Sequence, residues 1–132
     1  MDDPFRCLTV GTSLDPLTLT ISLSANERYW RAAGIDHALL RSGALYPLIA
    51  ANLTVLAFTQ HVPDAMIQTS QQLTCHRRVN APSTLTTRAT VIDRYEKRSL
   101  PYIAIAASVT VDEELAWTAT SHFTPAAKVT AR

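Results

Sequence analysis

Asp36 and His37 place a carboxylate and an imidazole side by side in the stretch AGIDHALLRSGALYPLIAANL, which covers residues 33–53. These two groups can give and take protons near neutral pH, so they are candidates for a general acid and a general base. Neighbouring side chains point about 100° apart on a helix and in opposite directions on a strand, so joint action requires a special loop conformation. Two interpretations stay open: a catalytic pair, or two ordinary polar residues of a loop.

The remaining histidines and the two cysteines are not spaced as paired metal ligands, so the sequence predicts no metal site and no cofactor. We interpret Cys7 and Cys75 as free thiols of a reducing compartment. His76 is interpreted as a packing or surface residue, and His61 as a residue near the end of a helix. His122 is expected to be exposed on a strand, on the face opposite Trp117 and Phe123.

The composition is that of an ordinary globular chain. Hydrophobic residues make up 47% and charged residues 17% of the 132 residues, and 12 basic and 11 acidic residues leave a formal net charge of +1. This size fits one domain, residues 1–132. The basic residues within positions 94–98 are interrupted by Tyr95 and Glu96 and predict a solvated hairpin turn. Nucleic acid is therefore not expected as a partner.

No stretch of the sequence has the character of a secretion signal or a membrane span. The N-terminus MDDPFRC is acidic, and the longest apolar stretch, residues 44–58, is interrupted by Asn52 and Thr54. We therefore expect a soluble, cytoplasmic protein without a membrane partner.

The elements that must position Asp36 and His37 begin with a strand over residues 18–23, in which apolar and hydroxyl side chains alternate. A short helix follows. Ser24 is its predicted N-cap, Glu27 has the capping-box spacing, and Gly34 is the predicted stop. Its predicted packed side holds Tyr29, Trp30 and Ala33.

A second helix is predicted to start at Tyr46-Pro47, because proline is favoured at the first helical position. The residues that follow to Phe58 are apolar on almost every side, so this helix is predicted to be buried all round. Its few polar members are Asn52, Thr54, Thr59 and Gln60.

After Pro63 the pattern changes to about four antiparallel strands joined by turns, and the tail from Thr124 is predicted to be loose. The expected fold class is α+β: a long buried helix wrapped by a curved antiparallel sheet. One small sheet cannot enclose such a helix completely. A partner subunit, most simply in a symmetric dimer, is expected to complete its burial.

Three stretches together resemble the MaoC-like branch of the hot-dog fold, which includes (R)-specific enoyl-thioester hydratases and 3-hydroxyacyl dehydratases. They are VGTSLDPLTLTISLSANERYWRAAGID, YPLIAANLTVL and SQQLTCHRRVNAPSTLTTRATVIDRYEKRSLPYIAIAASVTVDEELAWTATSHF, within residues 10–124. The resemblance implies one hot-dog domain that acts on or binds thioesters of CoA or acyl carrier protein. It also implies a homodimer or a higher hot-dog oligomer, or a heterodimer.

The catalytic motif of that family is only partly present. Active members carry an aspartate, an Asn-Pro and a histidine five residues after the aspartate. Asp36 matches the aspartate, but the Asn-Pro is absent and Arg41 stands in the histidine position. The resemblance therefore makes Asp36 and His37 the acid/base candidates. Arg41 is either a solvated charge or a ligand for a phosphate of CoA or pantetheine.

The start of the long helix also differs from the family, which commonly has His-Gly where this chain has Tyr46-Pro47. The glycine N–H would hold the thioester oxygen, and Pro47 has no N–H. The amides of Leu48 or Ile49 could replace it only if the carbonyl shifted along the helix. Tyr46 would then help to position the carbonyl or the water.

Asn52 is expected to be buried on the long helix, where it either bonds within the core or lines the acyl site. The first functional hypothesis is reversible hydration of an enoyl thioester. The second is a non-catalytic acyl-binding or structural subunit of a hot-dog dimer. A thioesterase ranks third, because that chemistry commonly uses a carboxylate on the long helix, and residues 47–60 contain none.

Overall fold

The computed structural model describes residues 3–34, 42–62 and 64–126. Within these ranges the strands are β1 (Leu17–Ile21), β2 (Met66–Cys75), β3 (Ser83–Lys97), β4 (Leu100–Val111) and β5 (Glu114–Pro125). The helices are α1 (Leu23–Ala32) and α2 (Pro47–Thr59). All strand pairs are antiparallel, in the spatial order β1-β3-β4-β5-β2. The predicted α+β class is confirmed.

The two tight turns of the sheet use backbone conformations that fit hairpins. Arg98 and Ser99 have φ values of 53° and 64°, and Asp112 and Glu113 have 52° and 65°. Positive φ at both central residues gives a turn whose twist matches that of the flanking strands. The first turn lies later than predicted, because β3 continues through most of the charged segment to Lys97.

The inner face of the sheet forms the core together with α2. Alternate side chains of β4 face inward: Ile103, Ile105, Ala107, Val109 and Val111, as the alternation predicted. Near the start of α2, Ile49 and Leu53 belong to the same core cluster as Trp117. Near its end, Phe58 stacks on Phe123 with ring centroids 4.5 Å apart. Both ends of the helix are thereby fixed against the sheet.

In the isolated chain α2 has one open side, as expected of a helix that one small sheet cannot enclose, and its burial all round by a partner stays a prediction. Leu48 is 52% exposed and Leu56 50% exposed, and Asn52 between them is exposed too. These positions recur every four residues and therefore share one face. A single sheet covers only the opposite face. Asn52 is therefore exposed in the isolated chain rather than hydrogen-bonded within its core. We call the face of Leu48, Asn52 and Leu56 the open stripe.

The first helix begins earlier than predicted. Ser22, not Ser24, is its N-cap, and the Ser22 hydroxyl accepts a hydrogen bond from the backbone N–H of Ala25 at 3.1 Å. The strand runs directly into the helix, so the first serine already occupies the capping position. The predicted stop is confirmed: Gly34 has φ +67°, and its N–H bonds the carbonyl of Arg31.

The packed side of α1 was only partly predicted. Trp30 is buried as expected, but its buried neighbour on the helix is Asn26, four residues earlier. Tyr29 and Ala33 are exposed. A polar residue lies in the core here because its amide has fixed partners, described below.

The last strand continues into the predicted tail. β5 reaches Pro125, and Thr124 is buried with its hydroxyl donating to the carbonyl of Pro101 at 2.9 Å. The rest of that tail, residues 127–132, lies outside the described residues. Neither described helix combines the length and the apolar character that crossing a membrane requires.

Candidate functional site

A cavity of about 300 Å³ lies at the N-terminal end of α2, between α1 and the edge of the sheet. Its apolar walls include two tryptophans, Trp30 from α1 and Trp117 from β5. The chain entering α2 and the segment that follows β2 supply the other walls. The complete lining is Trp30, Ala44, Leu45, Pro47, Cys75, His76, Arg77, Arg78, Val79 and Trp117.

Asn26 and Trp30 fix the chain that enters α2. The Asn26 Nδ2 and the Trp30 Nε1 both donate to the carbonyl of Ala44, at 2.9 and 2.8 Å. The Asn26 Oδ1 accepts the backbone N–H of Tyr46 at 2.8 Å. Helical positions four apart share a face, so α1 presents both side chains to the same segment. This wall of the cavity is therefore held by buried hydrogen bonds.

The same segment is tied to the sheet from its other side. The N–H of Leu45 donates to the carbonyl of Val79 at 2.8 Å, and the N–H of Ala81 donates to Gly43 at 2.9 Å. Residues 43–45 thus run antiparallel to residues 79–81. Gly43 has φ +79°, a conformation that a side chain disfavours. The start of α2 is positioned by main-chain bonds as well as by α1.

The backbone donors at the start of α2 are mostly absent or occupied. Tyr46 is the N-cap and its N–H is bound to Asn26, while Pro47 at the first helical position has no N–H. The N–H of Ile49 donates to the carbonyl of Tyr46 at 3.0 Å. The sequence offered the N–H groups of Leu48 and Ile49 as replacements for the glycine N–H of the family. Since the N–H of Ile49 is bonded, only that of Leu48 is available.

Tyr46 lies in an aromatic cluster beside the cavity. Its ring stacks on Tyr29 at a centroid distance of 6.1 Å and meets Trp30 edge-on at 4.9 Å. Aromatic pairs in these arrangements add to the stabilisation from burial. Tyr46 is half-buried, so the cluster fixes its ring at the border of the site.

The lining of the cavity includes three consecutive basic residues, His76, Arg77 and Arg78. Arg77 Nη1 pairs with Glu114 at 2.9 Å, and Arg78 Nε donates to Asn80 Oδ1 at 3.1 Å. Two guanidinium groups thus line the cavity, and Glu114 is paired with one of them. Guanidinium groups suit phosphate and carboxylate ligands.

The predicted site residues fall into three places. Asp36, His37 and Arg41 lie outside the described residues. Tyr46 borders the cavity, and Ile49 is buried beneath it in the core cluster of Trp117. Leu48 and Asn52 lie on the open stripe rather than in the cavity wall. Their assignment to an acyl site stays a prediction.

Sequence reasoning missed the residues that form most of the cavity. Trp30 and Trp117 had been placed only as packed residues of a helix and a strand. The basic run after β2 was a visible signal, because CHRRV follows a strand directly, but only His76 had been considered there. Among the described residues, no group of three or more histidine, cysteine, aspartate or glutamate side chains is placed to hold a metal ion.

A second group of ionisable side chains lies on the outer face of the sheet, away from the cavity. The Tyr95 hydroxyl and the His122 Nδ1 are 2.8 Å apart, and Tyr95 stacks on Tyr102 at 5.0 Å. Burial raises the pKa of Tyr95, and the nearby charges of Tyr102 and Asp93 add to the rise. His122 lies on the outer face as predicted but is half-buried rather than exposed.

Comparison with protein-family models gives no match, and comparison with curated proteins gives none. Solved structures are similar. The R-hydratase PhaJ1 from Pseudomonas aeruginosa has a TM-score of 0.77 at 15% identity, over 92% of this chain and 84% of that chain. The HadBC (3R-hydroxyacyl-ACP dehydratase) complex from Mycobacterium tuberculosis gives 0.72 at 20% identity, over 87% of this chain and 96% of that chain.

A mutant of the fluoroacetyl-CoA-specific thioesterase FlK is also similar, with a TM-score of 0.70 at 12% identity, over 89% of this chain and 87% of that chain. At such identities the likeness shows the fold, and the predicted fold is confirmed. The reaction is not decided by it, because a hydratase, a dehydratase and a thioesterase share this architecture.

Proposed function

With the hot-dog fold of MaoC-like dehydratases and (R)-hydratases as its scaffold, we propose that this chain binds acyl thioesters of CoA or acyl carrier protein at the start of α2. The supporting observation is the cavity, whose walls are largely apolar and whose lining includes the exposed cation Arg78. A thioester of CoA or acyl carrier protein has the same division, with an apolar acyl group at one end and the anionic phosphate of phosphopantetheine at the other. The match of shape and charge favours this ligand class.

The proposed reaction is reversible hydration of a trans-2-enoyl thioester to a 3-hydroxyacyl thioester. The oxygen of water bonds to C3, one proton of that water leaves to a base, and C2 receives a proton from an acid. Asp36 and His37 are the proposed acid and base. Their segment joins Gly34, at the end of the helix that carries Trp30, to Ser42, two residues before Ala44.

Other predicted residues have proposed roles in binding. Tyr46, fixed in its aromatic cluster at the border of the cavity, would orient the carbonyl or the water. Arg41 would add to the positive charge that attracts the phosphate of the carrier. Leu48, Ile49 and Asn52 would contact the acyl chain.

The second candidate is a non-catalytic acyl-binding or structural subunit. The observation that favours it is the start of α2, where Pro47 has no N–H and the N–H of Tyr46 is bound to Asn26. With only the N–H of Leu48 left at the helix start, the thioester would have fewer donors for activation. A thioesterase remains third, because residues 47–60 carry no carboxylate.

Assembly into a hot-dog oligomer is part of the proposal. Leu48 and Leu56 on the open stripe expose apolar surface that a second subunit would bury. β2 is an edge strand with one side unpaired in the sheet order, and an edge of this kind can pair with another chain. The second subunit would be another copy of this chain or a different hot-dog chain. HadBC, a structure of similar fold, is itself a complex.

The test is a hydration assay on the purified protein, alone and with any chains that co-purify, using trans-2-enoyl-CoA substrates from short to long acyl length. Hydration removes the ultraviolet absorption of the conjugated thioester. We expect Asp36→Asn and His37→Gln to lower kcat at least about a hundredfold. Asp64→Asn, at an exposed carboxylate after α2, is the matched control and should leave kcat unchanged.

Binding separates the first two candidates. Titration calorimetry with butyryl-CoA measures affinity without turnover. Binding together with hydration supports the enzyme, whereas binding without hydration under every condition supports the non-catalytic subunit. No binding of any thioester would contradict both.

A further inference from the structure

Two residues that line the cavity carry buried hydrogen-bond donors without a partner in the described part of the chain. Within the described ranges, the buried side-chain atoms without a hydrogen-bond partner are Arg77 Nε, Trp117 Nε1 and the Thr87 hydroxyl. Arg77 and Trp117 both line the cavity. Buried donors almost always have acceptors in folded proteins, so each exception calls for a physical reason. The occurrence of two at one cavity indicates that the cavity binds an acceptor.

The contrast between the two tryptophans sharpens this point. Trp30 and Trp117 are 3% and 2% exposed, and both line the cavity. The indole N–H of Trp30 is used within the fold, since it donates to the carbonyl of Ala44 at 2.8 Å. The indole N–H of Trp117 has no acceptor among the described residues. Trp117 therefore has a donor to offer a ligand, and Trp30 does not.

The backbone places the two residues that carry these donors near each other. Cys75 is the cross-strand partner of Trp117, and the N–H of His76 donates to the carbonyl of Ala116 at 2.7 Å. Arg77 follows immediately. Its Nη1 is paired with Glu114, which fixes the guanidinium while Nε stays unpartnered. A donor on a cation favours an acceptor that carries or gains negative charge.

We propose that the Trp117 indole N–H, together with the Arg77 guanidinium, binds the carbonyl oxygen of the thioester. This inference rests on the proposed function and deepens it. Pro47 and the occupied N–H of Tyr46 leave the start of α2 poor in donors, and the β5 side of the cavity supplies them instead. Fixed donors aimed at an oxygen that gains charge stabilise that charge without reorganisation.

The indole N–H groups can be observed directly. The chain has two tryptophans, so a ¹⁵N-labelled sample gives two indole resonances, which Trp30→Phe and Trp117→Phe assign. The probes are butyryl-CoA and S-butyl-CoA, a thioether of the same chain length without the carbonyl. We expect butyryl-CoA to move the Trp117 N–H proton downfield and S-butyl-CoA to leave it in place. The Trp30 N–H, already bonded, should not move downfield with either probe.

Affinity provides the second readout. Trp117→Phe keeps an aromatic ring and removes the N–H, so we expect it to weaken butyryl-CoA binding about tenfold, as loss of one hydrogen bond does. Binding of S-butyl-CoA should be unchanged. Arg77→Gln should show the same selectivity for the thioester. If Trp117→Phe does not fold, the resonance experiment on the unsubstituted protein decides the question.

The outcomes separate this inference from the proposed function. If both probes bind and the Trp117 resonance responds equally to both or to neither, the carbonyl is held elsewhere and only this inference fails. If neither probe binds the unsubstituted protein, the proposed function fails, and the inference fails with it.

Discussion

The side chain of Asn26 and the backbone N–H of Tyr46 are hydrogen-bonded at 2.8 Å, across twenty positions of the sequence. Asn26 is 1% exposed, and its Nδ2 donates to the carbonyl of Ala44. The buried side-chain amide of Asn26 thus fixes both Ala44 in the cavity wall and Tyr46, the N-cap of α2. The geometry of the site therefore depends on α1 as much as on α2.

Replacing Asn26 by alanine should destabilise the protein. The substitution leaves the N–H of Tyr46 without its acceptor, whereas the carbonyl of Ala44 keeps its bond from Trp30. The expected loss is about 1–3 kcal/mol of unfolding free energy, measured by urea denaturation. Glu27→Ala, at the exposed neighbouring position, is the control and should change the stability by less than about 0.5 kcal/mol. Equal effects of the two substitutions would contradict the role of Asn26.

Ser22 and Ser24 give a direct test of where α1 begins. Ser22→Ala removes the acceptor of the Ala25 N–H and should cost about 1 kcal/mol in unfolding free energy. Ser24→Ala, within the first helical turn, should be close to neutral, since alanine has the better helix propensity. Urea denaturation of both variants measures the difference. A larger loss at Ser24 would support the N-cap that the sequence predicted.

Much of the fold followed from local patterns. The alternation along residues 103–111 and the glycine stop at Gly34 depend on neighbours in the chain, and both were predicted correctly. The prediction of Ser24 as the N-cap failed because Ser22, two residues earlier, suits a cap equally well. Only the exact end of β1 selects between them. Likewise, the apolar composition of α2 indicated that one sheet leaves a side of it uncovered, but it could not show which residues form the open stripe.

The site was harder to predict because its walls come from distant parts of the chain. Trp30, Arg77 and Trp117 share no motif, and the strand register brings them together. A sequence pattern identifies Trp117 as an inward residue of a strand. It does not show whether the indole N–H has an acceptor. That information exists only once α1, β2 and β5 are packed.

Alkaline unfolding should reveal the environment of Tyr95. Burial raises the pKa of Tyr95 above its ordinary value of 10.0, so the folded state holds the phenol proton more tightly than the unfolded chain does. The resulting stability is fully present below about pH 10 and is lost as the pH rises through the folded pKa. Tyr95→Phe removes this titration together with the bond to His122.

The measurement is the unfolding free energy of the parent and of Tyr95→Phe across neutral and alkaline pH. We expect the unfolding free energies of the two proteins to differ by a constant amount below about pH 9. Above about pH 10 the parent should lose stability progressively relative to the variant. Alkaline groups other than Tyr102, whose charge interacts with that of Tyr95, are unaffected by the substitution, so their contributions cancel in this difference. A difference that stays constant over the whole range would contradict the raised pKa of Tyr95.

Pro47→Ala tests which side of the cavity holds the thioester oxygen. Alanine restores an N–H at the first helical position and is tolerated there, so the fold should be kept. If Trp117 and Arg77 already bind the oxygen, a new amide at the helix start adds little. Hydration rate and butyryl-CoA affinity should then change by less than about threefold. A rise of about tenfold or more in either would place the oxygen at the start of α2. Pro16→Ala, at an exposed position before β1, is the control. Removing any proline changes the stability through the entropy of the unfolded chain, and this control measures that effect alone.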